Sequence, residues 1–446
     1  MDLDLGPEIA EFRARLRDWI AANAPEGLAG LTDWTIAATT GGYQGAELAR
    51  AAAHPAYAEW ERMLAEARLI CPQWPEEFGG QAMDGVRLAV LNEEFHAAGL
   101  PRVRRGMGES LVGPSIIVHG TPGQRAHFLP RIITGEDVYC QGFSEPDQGS
   151  DLAGVQTRAE VDGDEVVITG TKVWTSGAGR ATMMFALCRS DPAAEKHAGL
   201  SYVLFPFTDP GVQYRPIRQM SGAAEFYEDF IDGVRVPLFN VIGGLNNGWK
   251  VAMTTLGYER GGAATVQHLG FEREFWELVE TARKHGRDTD PLVRQQLAWA
   301  YTGVQVMRFS GLRTLAQVAE GRPPGPEASV AKLAWSEYHK RLGEVAIGIV
   351  GTDALIRPDG PGYPTTPWQN VFLSSRAGTI YSGTSEIQRN IVGERALGLP
   401  KEPRVLPKEP RSLPKEPRVL PKEPRSLPKE PRVLPKEPRV AADGGR

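Results

Sequence analysis

The chain has 446 residues, of which 41% are apolar, 24% charged and 8% aromatic, a globular composition with room for two to four domains. Twelve of its 35 prolines lie between Pro400 and Pro438, and the stretch from Pro400 to Arg446 holds 13 basic and 7 acidic residues, so a tail of net +6 follows a body of net −11. An acidic body argues against broad binding of nucleic acid or anionic membrane, and three widely spaced cysteines, Cys71, Cys140 and Cys188, argue against a disulfide framework or a metal site.

The acidic N-terminus leads into a segment, Ile9 to Ala22, that places Phe12, Leu16, Trp19 and Ile20 on one helical face. Helical periodicity recurs from Tyr57 to Leu69 and from Val86 to Ala98, and the breaker-rich stretch Cys71 to Gly80 between them is a loop. No apolar run approaches the roughly 18 residues that span a bilayer, so a cytoplasmic protein is expected.

From about Val138 the period changes to that of strands. Ala159 to Val173 carries Asp162-Gly163 between two alternating runs, a hairpin signal, and short runs follow at Met183–Cys188, Leu200–Phe207, Val212–Ile217 and Phe226–Val236. That spacing predicts a compact all-β unit, a sandwich or barrel. After Asn247 the helical period returns and holds to about Leu397, enough for four or five helices. The α+β order of helices, strands and helices divides the chain into a helical domain (1–137), a β domain (138–240), a helical bundle (241–398) and a tail (399–446). The tail repeats Leu-Pro-Lys-Glu-Pro every seven residues from Leu399; its prolines exclude a packed helix and predict a polyproline-II rod.

Five segments have chemical potential. Trp74–Gly80 is a compact turn, and Phe143-Ser-Glu-Pro-Asp-Gln-Gly-Ser-Asp151 offers backbone donors and hydroxyls to a polar ligand edge. Lys172-Val-Trp-Thr-Ser176 ends a strand with an aromatic and two hydroxyls, a wall for a flat ring, although a strand Trp is ordinarily core. Asn246 or Asn247 is placed to cap a long helix on which Ala252, Leu256, Glu259, Ala263 and Val266 form a stripe. A carboxylate in that stripe is either one half of a buried ion pair or a general base whose pKa burial raises. Gly261, Gly262 and Ala263 leave room there for a ligand. Finally, Gly383-Thr384 opens a helical segment whose N–H groups suit an oxyanion or a diphosphate.

In this order and spacing, Trp74–Gly80, Phe143–Asp151, Lys172–Ser176, Gly257-Tyr-Glu-Arg260 and Ile380–Arg389 resemble the acyl-CoA dehydrogenases, over about residues 8–399. The resemblance implies an N-terminal helical domain, a central β domain and a C-terminal four-helix bundle, with FAD between the last two. It implies that Phe143 and Ser144 contact the flavin mainly through backbone, with Gly149 and Ser150 beside them. Trp174 and Ser176 would cover the ring, Thr384 and Glu386 would lie near the adenosine diphosphate, and Gly351 would approach a partner subunit's cofactor.

Many members carry the catalytic base immediately before the Gly-Thr turn, where this chain has Ser382. A second branch, that of the isovaleryl and long-chain enzymes, carries it on the long helix, and Glu259 matches that position, with Arg260 shaping the site. The implied reaction converts an acyl-CoA to a trans-2-enoyl-CoA. Glu259 takes the α-proton, the Ser382 backbone N–H polarises the thioester carbonyl, and electron-transferring flavoprotein accepts the electrons. The resemblance also implies a homo-oligomer, dimer or tetramer. Gly348, where the family often has Gln, and the lack of a clear match for an inter-subunit Arg among Arg283, Arg287 and Arg294 open the alternative of a heteromer or a non-catalytic subunit. A DNA-binding role, as in one relative of the family, rests only on the basic tail. Acyl chain length is not encoded legibly, and the small residues around Glu259 point to a branched or bulky acyl group such as a steroid side chain.

Overall fold

The computed structural model describes residues 6–31, 49–263, 267–319, 325, 327–356, 358 and 365–401, and the side chains of 49–50, 259–263, 267, 315, 318, 319 and 327 lie outside that description. The repeat tail beyond residue 401 and Val266 also fall outside it. Helix α1 (Pro7–Asn23) buries Leu16 and Ile20, and α2 (Tyr57–Glu66) buries Trp60 and Leu64. α3 (Gly85–Ala97) starts where the Asp84 carboxylate accepts the Arg87 N–H at 2.8 Å. Two further helices follow, α4 (Gly113–His119), entered through a π-turn, and α5 (Pro122–Thr134). α5 opens with a reciprocal Thr121–Gln124 capping box and closes on Gly135 at φ 79°. The expected loop at Cys71–Gly80 contains one 3-10 turn, Glu76–Phe78.

Eight strands follow: β1 (Tyr139–Gly142), β2 (Arg158–Asp162), β3 (Glu165–Ser176), β4 (Met183–Arg189), β5 (Leu200–Pro206), β6 (Val212–Ile217), β7 (Phe226–Pro237) and β8 (Val241–Ile242). They form one sheet in the order β6-β7-β3-β2-β4-β5-β8, with β1 parallel to β4. The β2–β3 hairpin turns at Gly163-Asp164, one residue later than the sequence signal, with Gly163 at φ 66°. Strands β4 and β5 are buried on both faces. Met184, Ala186, Cys188, Val203 and Phe205 point into a core enclosed by the sheet, whereas Phe185, Leu187, Leu200, Tyr202 and Leu204 join the core of the N-terminal helices.

Among the described residues five C-terminal helices follow, α6 (Gly248–Ala263), α7 (Gln267–Lys284), α8 (Pro291–Ala319), α9 (Glu327–Val350) and α10 (Pro367–Gly378), with a short α11 (Ser385–Ile391) after them. α7 to α10 share a third core, around Phe271, Leu278, Val304, Leu342 and Val371. The first half of α6 belongs elsewhere, because Val251 and Ala252 pack into the core of the N-terminal helices and the sheet. The helix that carries Glu259 therefore starts inside the junction of sheet and N-terminal helices.

Of the stripe read from the sequence, Ala252 is buried and Leu256 packs against the same core, and the buried face also takes in Val251 and the polar Thr255; Glu259, Ala263 and Val266 lie outside the described side chains. The side chains of both expected caps of α6 are engaged elsewhere: the Asn246 Oδ1 accepts from Ser190 at 2.6 Å, and the Asn247 amide donates back to Gly243 O at 3.0 Å. What starts the helix so close to β5 is Gly248, where a Cβ would come within 2.4 Å of the Ser201 carbonyl carbon. Gly248→Ala should therefore cost about 1–3 kcal/mol by overpacking. Gly257→Ala in the same helix, facing open space, should be neutral or stabilising by up to about 1 kcal/mol. Thermal unfolding of the two variants beside wild type checks the contrast; equal melting temperatures would contradict it.

Candidate active site

The Phe143–Asp151 loop leaves β1 and is anchored at its start by a fully buried lysine. Lys172 Nζ, on β3, donates to Leu187 O at 2.7 Å and to Phe143 O at 3.3 Å, and pairs with Glu145 Oε1 at 2.9 Å. The Glu145 carboxylate accepts two more bonds, from the N–H groups of Gln156 (2.6 Å) and Thr157 (2.8 Å). Burial alone would raise the Glu145 pKa; the Lys172 charge and those two N–H donors outweigh it and hold the carboxylate below its usual range. The Val173 N–H donates to Ser144 O at 3.0 Å, so the loop backbone runs bonded alongside β3.

The Phe143 ring is buried edge-on against Phe185 and Tyr202, which leaves its backbone as the part that faces the loop. Gly149 and Ser150 are exposed, and a Cβ at Gly149 would meet nothing within 4 Å.

Trp174 departs from ordinary strand behaviour. The register of β3 against β7 breaks between Val173 and Thr175, and Trp174 sits in that bulge with φ 63° and 58% of its surface exposed. A left-handed conformation is costly for a bulky residue, and such outliers concentrate at ligand sites. The bulge turns the indole outward while Thr175 on its C-terminal side is fully buried. Thr175 Oγ1 donates to the Asp229 carboxylate of β7. Ser176 closes the strand, half-buried.

Helix α6 is tied to the same wall. Thr255 Oγ1 lies 2.7 Å from Ser115 Oγ of α4 and 3.2 Å from the Tyr202 hydroxyl of β5, and Tyr202 is the ring against which Phe143 packs. Glu259 follows Thr255 by four residues, one helical turn along the same side, with Arg260 next to it; both are helical, and their side chains lie outside the described residues.

Ser382, like Trp174, is a non-glycine residue in the left-handed region, at φ 52°, with Gly383 at φ 87° beside it. Its carbonyl accepts from the buried Gln388 side chain at 2.9 Å. Thr384 caps α11 by accepting the Ile387 N–H at 3.2 Å, so that donor is already engaged. The exposed Glu386 carboxylate is held below its usual range first by its own backbone N–H and then by the Thr384 hydroxyl. Gly351 has φ 69° and open space around it. A cleft of about 470 Å³ between α8 and α9, lined by Trp299, Tyr338 and Arg341, contains none of these residues.

Lys172 and the Val173 N–H thus hold the Phe143–Ser144 backbone beside the end of β3 that carries Trp174 and Ser176, and Tyr202 links α6 to Phe143, whereas Ser382, Thr384 and Glu386 stand on a separate turn of the C-terminal unit. An outward indole one residue from the Val173–Ser144 bond has an exposed face on which a flat heteroaromatic group could stack. Lys172, Glu145, Asp229 and Thr255 were not among the residues assigned roles from the sequence, and Thr175, one of the two hydroxyls expected in the ring wall, is instead turned inward to Asp229. The available signal was a lysine in phase with the buried residues Val166 and Ile168. Among the described residues no group of His, Cys, Asp or Glu is arranged to hold a metal ion, and no helix is long and apolar enough to cross a membrane.

Comparison with known proteins matches the chain to three family models: acyl-CoA dehydrogenase N-terminal domain over residues 35–136, middle domain over 140–229 and C-terminal domain over 246–397. A relative from Mycobacterium tuberculosis named acyl-CoA dehydrogenase IpdE1 is 43% identical over 401 residues, covering 89% of this chain and 99% of that protein. Among solved structures, one titled "Tcur3481-Tcur3483 steroid ACAD" superposes with a TM-score of 0.72 at 31% identity, over 90% of this chain and 100% of its own. The ChsE4-ChsE5 complex from M. tuberculosis superposes with a TM-score of 0.67 at 26% identity, over the same shares.

Replacing Lys172 by Met should strand the Glu145 carboxylate in the interior and destabilise the protein by about 3–5 kcal/mol, and adding Glu145→Gln should recover part of that loss. Denaturant unfolding of the two single variants and the double variant measures it; additive losses would show that the two side chains do not act as a pair.

Proposed function

The chain belongs to the acyl-CoA dehydrogenase family of flavoprotein oxidoreductases, and from that premise we propose that it is an FAD-dependent enzyme that dehydrogenates an acyl-CoA thioester between Cα and Cβ, with Glu259 as the base. The observation that carries this reading is the placement of α6. Its Thr255 is held to Ser115 and Tyr202, on the wall that presents Trp174, and Glu259 is one turn further on.

Bound FAD supplies the acceptor for the β-hydride. Phe143, Ser144, Gly149 and Ser150 would hold the ring edge with loop backbone and hydroxyl groups, and Trp174 and Ser176 would cover its face. Thr384 and Glu386 would lie near the diphosphate, and Gly351 would leave room for the cofactor of a partner subunit. Glu259 would abstract the α-proton, and Arg260 would orient that carboxylate. The negative charge that develops on the thioester oxygen needs a donor fixed in advance, and the Ser382 backbone N–H is the candidate, its turn pinned by Gln388. A serine hydroxyl cannot take an α-proton at neutral pH, so Ser382 contributes through its backbone alone.

The steroid dehydrogenase named above, similar over 90% of this chain, supports a bulky CoA ester such as a steroid-derived acyl group as substrate. Electron-transferring flavoprotein is the proposed electron acceptor. Both structural relatives named above carry two chain names in their titles. Together with Ser382 and Gly348 at positions where many members carry Glu and Gln, this favours assembly with a sibling chain over a homo-oligomer. A lone chain that purifies colourless and gains flavin on co-expression would support that assembly, and stoichiometric flavin in the lone chain would oppose it.

Anaerobic mixing of the flavin-loaded protein with a panel of acyl-CoAs tests the chemistry. Wild type should lose flavin absorbance with at least one bulky thioester, and Glu259→Gln should do so about 10²–10⁴ times more slowly. Undiminished bleaching in Glu259→Gln would remove Glu259 from the role of base.

A further inference from the structure

Behind the Trp174 bulge lies a carboxyl group that the proposed chemistry does not use. Asp229 is fully buried on β7, and its Oδ2 accepts from Thr175 Oγ1 while its Oδ1 has no hydrogen-bond partner among the described residues. Lys172 is directly opposite in the strand register, but its ammonium group is already engaged by Glu145, Phe143 O and Leu187 O. The other ionisable neighbours give Asp229 no counter-charge. Cys140 of β1 is a buried thiol whose pKa is raised first by burial and then by Asp229 itself. Glu228, next in β7, is paired with Arg215 of β6 at 2.5 Å, and Tyr214 of β6 is the residue opposite Asp229 on the other side. A carboxylate with one neutral donor and no cation is costly in such a place, whereas a protonated carboxyl is tolerated.

We propose that Asp229 is a positioning residue for the flavin site: its uncharged carboxyl, bonded to Thr175, locks the bulge that turns Trp174 outward, so FAD binding is coupled to a proton held at Asp229. This rests on the reading that Trp174 covers the flavin. The geometry supplies the lever, because Thr175 is the residue at which the register resumes after Trp174. A change in its one side-chain bond acts on the bulge directly.

Burial raises the Asp229 pKa from 3.8 to about 7, and the Thr175 bond and the Lys172 charge offset that only in part. The sign follows from linkage. The folded protein binds this proton more tightly than the unfolded chain, so the stability associated with it is complete below about pH 4 and is lost as the pH rises towards about 7. If the cofactor-competent bulge needs the neutral carboxyl, FAD affinity falls as the pH rises through the same upper limit.

The test measures the FAD dissociation constant of the full-length, flavin-stripped protein, in the assembly in which it purifies, from about pH 6 to about pH 8.5. Wild type should weaken by about fivefold or more across that range. Asp229→Asn keeps an acceptor for Thr175 but cannot ionise, so its affinity should stay within about twofold of the wild-type value at the acid end. Thr175→Val breaks the bond without touching the carboxyl and should bind FAD at about pH 6 as weakly as wild type does at about pH 8.5. A pH-independent wild-type constant overturns the proposal even if Asp229→Asn does not fold, as does an Asn variant that follows the wild-type curve. Trp174→Ala separates the two levels. Unchanged FAD affinity in that variant would mean that Trp174 does not cover the flavin, whereas weakened affinity with no pH coupling in wild type would mean that only the role of Asp229 fails.

Discussion

The architecture of the site depends on one buried cation. Lys172 has no exposed surface, and its three partners belong to two other pieces of chain: Leu187 on β4, and Phe143 and Glu145 of the loop. Burying an ammonium ion costs several kcal/mol unless it is paired and fully hydrogen-bonded. A sheet that shifted against the loop by even one residue would leave a lysine, a glutamate or two carbonyls unsatisfied. Such an arrangement contributes little net stability over an apolar substitute, but it strongly disfavours other registers. Trp174 lies two residues from Lys172 on the same strand, so the pairing that fixes the loop also fixes where the indole emerges.

From this anchor the order extends to the helices. Phe143 packs on Tyr202, Tyr202 bonds Thr255, and Thr255 meets Ser115. Loop, sheet, α6 and α4 are thus joined by short-range contacts, each made by a fully or almost fully buried side chain. That continuity fixes the position of α6 relative to the Phe143 loop, although the two elements are far apart in sequence and belong to different layers. It also gives a reason for Gly248: the helix must begin in contact with the β5 backbone for Thr255 to reach Tyr202.

Much of the fold was legible because its signals are local. The alternating runs from Met183 to Val236 coincide with β4 to β7 to within a residue or two, and the face of Phe12, Leu16, Trp19 and Ile20 is the one α1 turns to its core. The strand pairing was not legible, since nothing local says that β1 runs parallel to β4 or that β2 lies between β3 and β4. The candidate site residues came from motif resemblance rather than periodicity. Periodicity alone puts Trp174 in phase with the buried Val166 and Ile168; the bulge between Val173 and Thr175 shifts that phase by one residue and sends the indole outward, as a ring wall requires. Periodicity also passed over Lys172, Asp229 and Thr255, whose importance comes from partners 15 to 140 residues away.

The central claim is that the Lys172-anchored wall and the α6 helix enclose one site, with flavin against Trp174 and Glu259 opposite it across the substrate. A crystal structure of the FAD-loaded protein with a bound acyl-CoA analogue, in the assembly in which it purifies, tests this most directly. The account predicts the isoalloxazine ring packed on the Trp174 indole beside the Phe143–Ser144 backbone, with the Glu259 carboxylate within about 3.5 Å of the analogue's Cα. A ring bound away from Trp174, or a Cα approached by a residue other than Glu259, would contradict it.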